Sequence, residues 1–380
     1  MAKILRSSLI LTGALMSSCV LQPRNTETGA AADQRSTTGA LHESNGRYLL
    51  DRAFQDFYDT AFVLTNDGKT APRVVGQAQV AAALQHFDVV FYGESHSHPG
   101  VHLQQMELLR ALYARDSRWV VSFEQFERDV QGVVDDYLAG RIGESTLIDK
   151  GRAWNNYPTS YRPLLIFARD HDLPVIAAEA PGWAITCVGQ WGTGILDQFT
   201  PFERSWVAKD LHVVPGAYRD KFMNFLGSSP AHGGGTAATP ETAAKAERSF
   251  SAQVARDDTM AESIDRAIQE HPGYKLLHLT GNFHSAGFLG TVERLRMRDP
   301  ELKIAVIEPV EVADPSAPAF AADSLGEGTV LQLIYPIPDA FAAGEDMSAS
   351  IAKAIHERET NRCKYPPSPP PPPPTTPSPL

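Results

Sequence analysis

The sequence predicts an α/β protein with a mostly parallel sheet flanked by helices and a helical cap insertion. Three observations predict it. Apolar runs of strand length recur, at Val89-Val90-Phe91-Tyr92, Trp119-Val120-Val121-Ser122-Phe123, Val175-Ile176-Ala177-Ala178 and Lys275-Leu276-Leu277-His278-Leu279. Runs without strict polar alternation are strands buried on both faces. Helical patterns lie between them, and strand–helix alternation gives a parallel sheet. Each run then ends in polar, turn-forming residues, where an open parallel sheet forms its ligand crevice.

The first twenty residues read as an export segment. Lys3 and Arg6 precede an apolar stretch, residues 8–16, that is too short to span a bilayer. Leu15-Met16-Ser17-Ser18-Cys19 then places small residues before a cysteine, the pattern of a lipoprotein signal in which Cys19 is lipidated. The plainer alternative is a secretory signal with an incidental cysteine, and export follows from either. Residues 20–47 are polar and read as a flexible tether. Residues 48–345 form the domain, with 183–250 as the cap insertion. Residues 346–380 are a helix fragment and a Pro-rich tail, which should be extended and disordered from Lys364 on.

Within the domain, residues 58–65 and 68–73 suggest a hairpin around Asn66-Asp67-Gly68. Residues 75–86 read as a helix leading into the Val89 strand. Pro99 opens the next helix, in a first turn where its missing N–H costs nothing. Val130, Val133, Val134, Tyr137 and Leu138 lie on one helical face. Residues 161–171 and 202–211 are also helical, and the Gly- and Ser-rich residues 227–239 read as a mobile loop. An insertion after a strand end is placed to cap a site. In the helix over 250–270, Asp257 shares a face with Val254 and Ala261. A carboxylate facing inward needs a partner. Two are open: an arginine in a salt bridge, or a ligand histidine that Asp257 orients. Residues 285–298 read as a helix, and 303–308 and 329–335 as the last strands.

The formal net charge of −11 argues against a nucleic-acid partner, which needs basic patches. Beyond Cys19 only Cys187 and Cys363 remain. Because Cys363 lies past the expected end of the fold, no structural bridge is expected. No C-x-x-C occurs, so a thiolate zinc site is not indicated.

The chemistry is concentrated at the strand ends. They are Gly93-Glu94-Ser95-His96, then Glu124 and Glu127, then Glu179, then Gly281-Asn282-Phe283-His284. Strand ends of a parallel sheet converge on one edge. Glu94, His96, Glu124 and His284 therefore make either a divalent-metal site or a general acid–base pair. As an enzyme the chain would use these four with Glu179 or Glu127 as base. His98 and His102, four apart on the following helix, share a face. The bland reading is a solvated helix start, and the sharper one a second metal pair.

Several blocks in this order resemble a known family. They are Gly93-Glu94-Ser95-His96, Phe123-Glu124-Gln125-Phe126-Glu127-Arg128-Asp129, Asp136-Tyr137-Leu138-Ala139-Gly140, Trp154 with Tyr161-Arg162-Pro163-Leu164, Leu173-Pro174-Val175-Ile176-Ala177-Ala178, Gln253-Val254-Ala255-Arg256-Asp257-Asp258-Thr259-Met260-Ala261 and Gly281-Asn282-Phe283-His284. The chain resembles the ChaN-like haem-binding lipoproteins, of a superfamily that includes Tiki-type metalloproteases and erythromycin-esterase-like enzymes. The resemblance implies a haem-binding lipoprotein of the outer membrane, facing the periplasm, that serves iron and haem acquisition and binds haem in a homodimer. It implies a haem-ligating tyrosine, for which Tyr157, Tyr161 and Tyr218 are candidates, with Trp154 and His98 as further cofactor contacts. Ser97 stands where the family often has Asp, and Glu179 where it often has Asn. Haem needs an axial ligand and an apolar slot. The residues read by themselves favour a divalent-metal-dependent hydrolase, in which the ion would lower the pKa of bound water, whereas the resemblance favours haem.

Overall fold

The computed structural model describes residues 39–65, 71–228, 239–339, 342, 353 and 362–367. In chain order the strands are β1 (Leu41–Ser44), β2 (Arg47–Leu50), β3 (Thr60–Leu64), β4 (Arg73–Val75), β5 (Val89–Glu94), β6 (Trp119–Glu127), β7 (Val175–Glu179), β8 (Lys275–Gly281), β9 (Ile304–Glu311), β10 (Ala319–Ala321) and β11 (Val330–Ile334). The helices that flank the sheet are α1 (Gln77–Leu84), α2 (Pro99–Tyr113), α3 (Gln131–Leu138), α4 (Glu144–Lys150), α5 (Tyr157–Ser160) and α6 (Arg162–Asp170). After β7 come α7 (Gly182–Trp191), α8 (Pro201–Arg204), α9 (Ala217–Ser228) and α10 (Pro240–Glu270), and α11 (Thr291–Arg298) follows β8. The export segment with Cys19, the Asn66-Asp67-Gly68 turn, residues 229–238 of the Gly-rich loop and the tail beyond 367 lie outside the described residues.

Eight strands form one sheet in the order β4-β3-β11-β9-β5-β8-β6-β7, and β1, β2 and β10 form a small antiparallel one. The strands from β11 to β7 in that order run parallel, while β3 is antiparallel to β11 and β4 antiparallel to β3. The fold is therefore the mostly parallel α/β sheet the sequence predicts. Alternate residues of each strand serve opposite faces. Val90 and Tyr92 of β5 pack with Leu108, Leu112, Phe123 and Leu164 beneath α1, α2, α3 and α6. Val89 and Phe91 pack with Ala261, Ile264, Val292 and Leu295 beneath α10 and α11. Cover on both faces is what makes the strands read as unbroken apolar runs.

The winding sets the position of the crevice. From β5 the chain moves outward to β6 and β7, then returns to insert β8 between β5 and β6, and then places β9 and β11 on the other side of β5. The reversal occurs at the β5–β8 pair, where such sheets open their crevice. The register there pairs Gly93 with Thr280 and Glu94 with Gly281. The two Gly-x-x-His turns thus stand side by side.

Several elements depart from expectation. β1 begins at Leu41, inside the stretch read as a tether, and pairs with β2. The helix expected over 202–211 is only the single turn α8. Arg204 accounts for this, since its guanidinium donates to the carbonyls of Val207, Ala208 and Lys209 at 2.8–2.9 Å and stabilises a loop there. The helix expected from 285 begins at Thr291, because Gly287 and Phe288 adopt left-handed φ of 71° and 58° and break it. β7 is one of the sheet's two edge strands. The Gln131 side chain covers it, donating to Val175 O at 2.9 Å and accepting from Ala177 N at 2.7 Å, which blunts a surface prone to strand addition.

The cysteine expectation is corrected. Cys187 of α7 and Cys363 form a disulfide across 176 residues of chain. The residues around Cys363 dock on the α7–α8 region. Tyr365 stacks on Phe199 at 5.1 Å and donates to Glu203 at 2.6 Å, Lys364 pairs with Glu203, and Cys363 N donates to Gln190 Oε1 at 3.0 Å. Peptide mapping without reduction should recover a linked Cys187–Cys363 pair, and Cys363→Ser should lower stability by about 2–4 kcal/mol. Free thiols at both positions in protein purified from an oxidising compartment would refute the bridge.

Candidate functional site

Five parallel strands deliver polar side chains to one edge, and the pleat sorts them between two faces. Glu94 turns toward α2 and α6. It accepts from Gln105 Nε2 at 2.7 Å, Gln125 Nε2 at 3.0 Å, the Tyr161 hydroxyl at 2.5 Å and His96 Nδ1 at 2.9 Å. Four donors on one carboxylate make it a pure acceptor. Glu124 turns toward α10. It accepts from Thr280 Oγ1 at 2.7 Å, Gly281 N at 2.6 Å and Arg256 at 2.8 Å.

Arg256 of α10 lies between Glu124 and Glu179, reaching the Glu179 carboxylate at 2.6 Å. Burial alone would raise the Glu124 carboxyl, but His284, Arg256 and His96 outweigh it and hold it well below the usual carboxylate range. Burial prevails at Glu179, whose carboxyl is raised despite Arg256.

His284 is bound on the α10 side. Its Nδ1 lies 2.7 Å from Asp257 Oδ1, and its Nε2 lies 3.7 Å from Glu124 Oε1. Tyr218 of α9 and Thr291 donate to the same Asp257 carboxylate at 2.6 and 2.8 Å. Burial lowers the His284 imidazole, yet Asp257 and Glu124 overcome it and raise it above its usual value. Burial likewise raises Asp257, and His284 reverses the sign. Of the two partners open to Asp257, the structure supplies the histidine.

His96 differs from its counterpart. Its side chain is 46% exposed, where that of His284 is 4% exposed. Its ring packs edge-on to Trp154 at 4.9 Å. Its carbonyl accepts from Asn156 Nδ2 at 2.7 Å and lies 3.0 Å from His102 Nε2, which fixes the turn. Gly281 is what lets the ring lie there, since a Cβ at that position would stand 2.8 Å from His96 Nε2. Burial lowers the His96 imidazole, but the hydrogen bond to Glu94 and the nearby carboxylates raise it overall.

The structure thus brings His96, Glu124, Glu179 and His284 to one crevice, with Glu94 behind His96. It does not assemble the expected four-residue metal set. Glu94 lies on the opposite face of the sheet from Glu124, and the carboxylates are occupied by amides, hydroxyls and Arg256. Among the described residues no group of three or more His, Cys, Asp or Glu is placed to hold a metal ion.

Glu127 is turned away by a register shift in β6 after Phe123. It accepts from Gly182 N at the start of α7 and pairs with Arg152. The helix start at His98 and His102 is buried rather than solvated. His98 Nε2 reaches Tyr335 O at 2.9 Å and its ring stacks on Phe57, while His102 Nδ1 reaches Gln105. Among the described residues His98 and His102 form no metal pair, and both rings are engaged by protein partners. Tyr157 is core, packed against Phe126, and burial raises its phenol far above the usual range.

Gln253 and Arg256 were not foreseen as site residues. Gln253, Arg256 and Asp257 are spaced i, i+3, i+4, so three polar groups on one face of α10 were the available signal. Glu308, within β9, was also missed. It is buried, its Oε2 has no hydrogen-bond partner, and Ser285 Oγ nearby has none either. Burial raises the Glu308 carboxyl well above its usual value, and Lys221 offsets this only in part. A separate cavity of about 760 Å³ lies beside β7, lined by residues such as Arg128, Asp135, Arg169 and Arg266. None of the predicted site residues lines it, and the strand-end chemistry lies elsewhere.

The family model described as "Haem-binding uptake, Tiki superfamily, ChaN" matches residues 80–295. Among solved structures, the ChaN protein of Campylobacter jejuni, described for cofacial haem binding, is similar at 15% identity with a TM-score of 0.53, over 73% of this chain and 97% of that one. An erythromycin esterase mutant in its open conformation aligns at 12% identity and a TM-score of 0.37, over 64% and 78% of the two chains. A Bacillus cereus protein aligns at 11% and 0.39, over 73% and 95%. No curated protein matches the chain.

Removing Arg256 strands two buried carboxylates. Arg256→Ala should cost about 3 kcal/mol, the low end for breaking a buried pair because the arginine head is partly exposed. Denaturant melts measure it, and a loss below about 1 kcal/mol would refute the bridging role. Glu308 has a raised folded pKa, so its contribution is fully present below the unfolded value of about 4.5 and is lost as pH rises through the folded value. The stability advantage of Glu308→Gln over wild type should therefore grow as pH rises from about 4.5 toward neutrality. A pH-independent difference would show that Glu308 is ionised in the fold.

Proposed function

Because this chain belongs to the haem-binding uptake family of the Tiki superfamily (ChaN), we propose that it is a haem-binding lipoprotein that takes haem at the carboxyl edge of its sheet for iron acquisition. The observation that carries the proposal is the span of the family match. It includes both Gly-x-x-His turns and the α10 segment that holds His284 through Asp257. The similar Campylobacter jejuni protein, described for cofacial haem binding, supports the same ligand.

At this edge the candidate contact for haem is His96. His96 is the exposed imidazole of the crevice, with the Trp154 ring as an apolar wall beside it. Bound haem would supply an iron centre for uptake and release. The protein's own part is to present a ligand, exclude water and hold the turn rigid. The polar groups on the α10 side suit that last task, since each is already paired.

The export reading rests on Lys3, Arg6 and the small residues before Cys19. Lipidation there would place the domain at the outer membrane, on its periplasmic face. A divalent-metal hydrolase is the less supported reading, because Glu94 and Glu124 face opposite sides of the sheet and their oxygens are already engaged.

Titration of ferric haem into the purified protein should give a saturating Soret band. A folded protein that gives none would end the haem reading. In cells, Cys19→Ala should move the protein from the membrane fraction to the soluble one, and unchanged membrane association would remove the anchor.

A further inference from the structure

We propose that the cleft between the end of α7, α10 and the disulfide-tethered segment at Arg362 binds a phosphate-bearing anion, held by Lys245, Arg248 and Arg362. The proposal does not depend on the haem reading. None of the strand-end crevice residues lines this cleft.

The cleft has a volume of about 500 Å³, and its walls come from three parts of the chain. Gln190 and Trp191 stand in the last turn of α7, Lys245 and Arg248 on α10, and Arg362 and Cys363 close the remaining side. Lys245 and Arg248 are three apart on one helix, so their side chains share a face. Arg362 is brought to them by the Cys187–Cys363 disulfide and by Cys363 N, which donates to Gln190 Oε1 at 3.0 Å.

The charge of the cleft calls for a ligand. Three cationic side chains line it and no Asp or Glu does. The chain as a whole is the reverse, with 45 acidic residues to 34 Lys and Arg. Like charges gathered on a concave surface repel one another and focus a positive potential into it. Elsewhere carboxylates offset the arginines, as Glu262 does for Arg128, Glu127 for Arg152 and Glu124 for Arg256. Among the described residues, neither Lys245 nor Arg248 has such a partner. Arg248 Nε is buried without a hydrogen-bond partner. An anion on that edge of the guanidinium would supply one and balance the cluster. A tetrahedral oxyanion fits, because an arginine fork grips two of its oxygens and the other cations take the rest. Trp191, 42% exposed, adds an apolar surface beside the charge for an organic group on the phosphate. A lipid headgroup and a free phosphate compound share this chemistry.

The test titrates inorganic phosphate into the purified full-length protein by calorimetry at fixed ionic strength. Wild type should bind it saturably. Lys245→Ala, Arg248→Ala and Arg362→Ala should each weaken binding about tenfold or more. Cys363→Ser, which releases Arg362, should do the same. Lys150→Ala removes a charge on α4 and should change nothing. Flotation with vesicles of phosphatidylglycerol and phosphatidylcholine then separates the two sources, using Cys19→Ala protein so that no lipid anchor contributes. Retention on vesicles that Arg248→Ala abolishes identifies a headgroup, and phosphate binding without retention identifies a free phosphate compound. Either result supports the site. If neither probe binds, or if Lys150→Ala weakens binding as much as Arg248→Ala, the site is overturned. Wild-type affinity in Cys363→Ser would overturn its assembly by the disulfide. Circular dichroism of each variant confirms that the fold is intact.

Discussion

The edge of this sheet has to accommodate buried carboxylates, and most of the surrounding architecture follows from that requirement. Glu94, Glu124, Glu179 and Asp257 are all nearly solvent-free. An unpaired buried carboxylate is too costly to keep charged, so each draws a specific partner from a distant part of the chain. α2 contributes Gln105, the start of α6 contributes Tyr161, and α10 contributes Arg256. The pleat adds a second constraint. It sends Glu94 to one face and Glu124 to the other, so two separate hydrogen-bond networks meet at one crevice. The helices are thus fixed by polar contacts at this end of the sheet and by apolar packing along its length.

That division explains why the sequence revealed some features and hid others. The parallel sheet was legible because both faces are covered, which leaves apolar runs such as Val89-Val90-Phe91-Tyr92 with no polar interruption. The convergence of the Gly-x-x-His turns was legible because strand ends of such a sheet meet at one edge. Which face each residue would take was not. Glu94 and Glu124 read as members of one set, and only the register and the bulge after Phe123 show that they part and that Glu127 leaves altogether. Helix ends were hidden for a similar reason. Arg204 satisfying three loop carbonyls is a tertiary contact without local signature.

The cysteine pair failed as an expectation for a different physical reason. Cys363 sits beside a Pro-rich stretch, and composition there argues against a packed core. Yet a short segment needs no core of its own when an existing surface receives it. Phe199, Trp183 and Glu203 form that surface, and Tyr365 and Lys364 complement it with a ring, a hydroxyl and an ammonium group. The disulfide then joins chain segments already held together by those contacts. Composition reports what a segment can do alone and is silent on what it can do against a neighbour.

The same distinction separates the two histidines that the sequence made equivalent. Both follow a glycine by three residues at the end of a buried parallel strand. At His284 the carboxylate behind the ring belongs to α10, and a second carboxylate, Glu124, stands on the other side, so the imidazole is held within a closed network. At His96 the carboxylate behind the ring is Glu94, which lies beneath the turn, and the ring packs against Gly281 and edge-on to Trp154 while nearly half of the side chain stays exposed. A histidine clamped between carboxylates from two elements is enclosed, and one held by its own strand end is left at the surface of the crevice. Two copies of one local motif therefore acquire different exposure and different partners from the strand faces they adjoin.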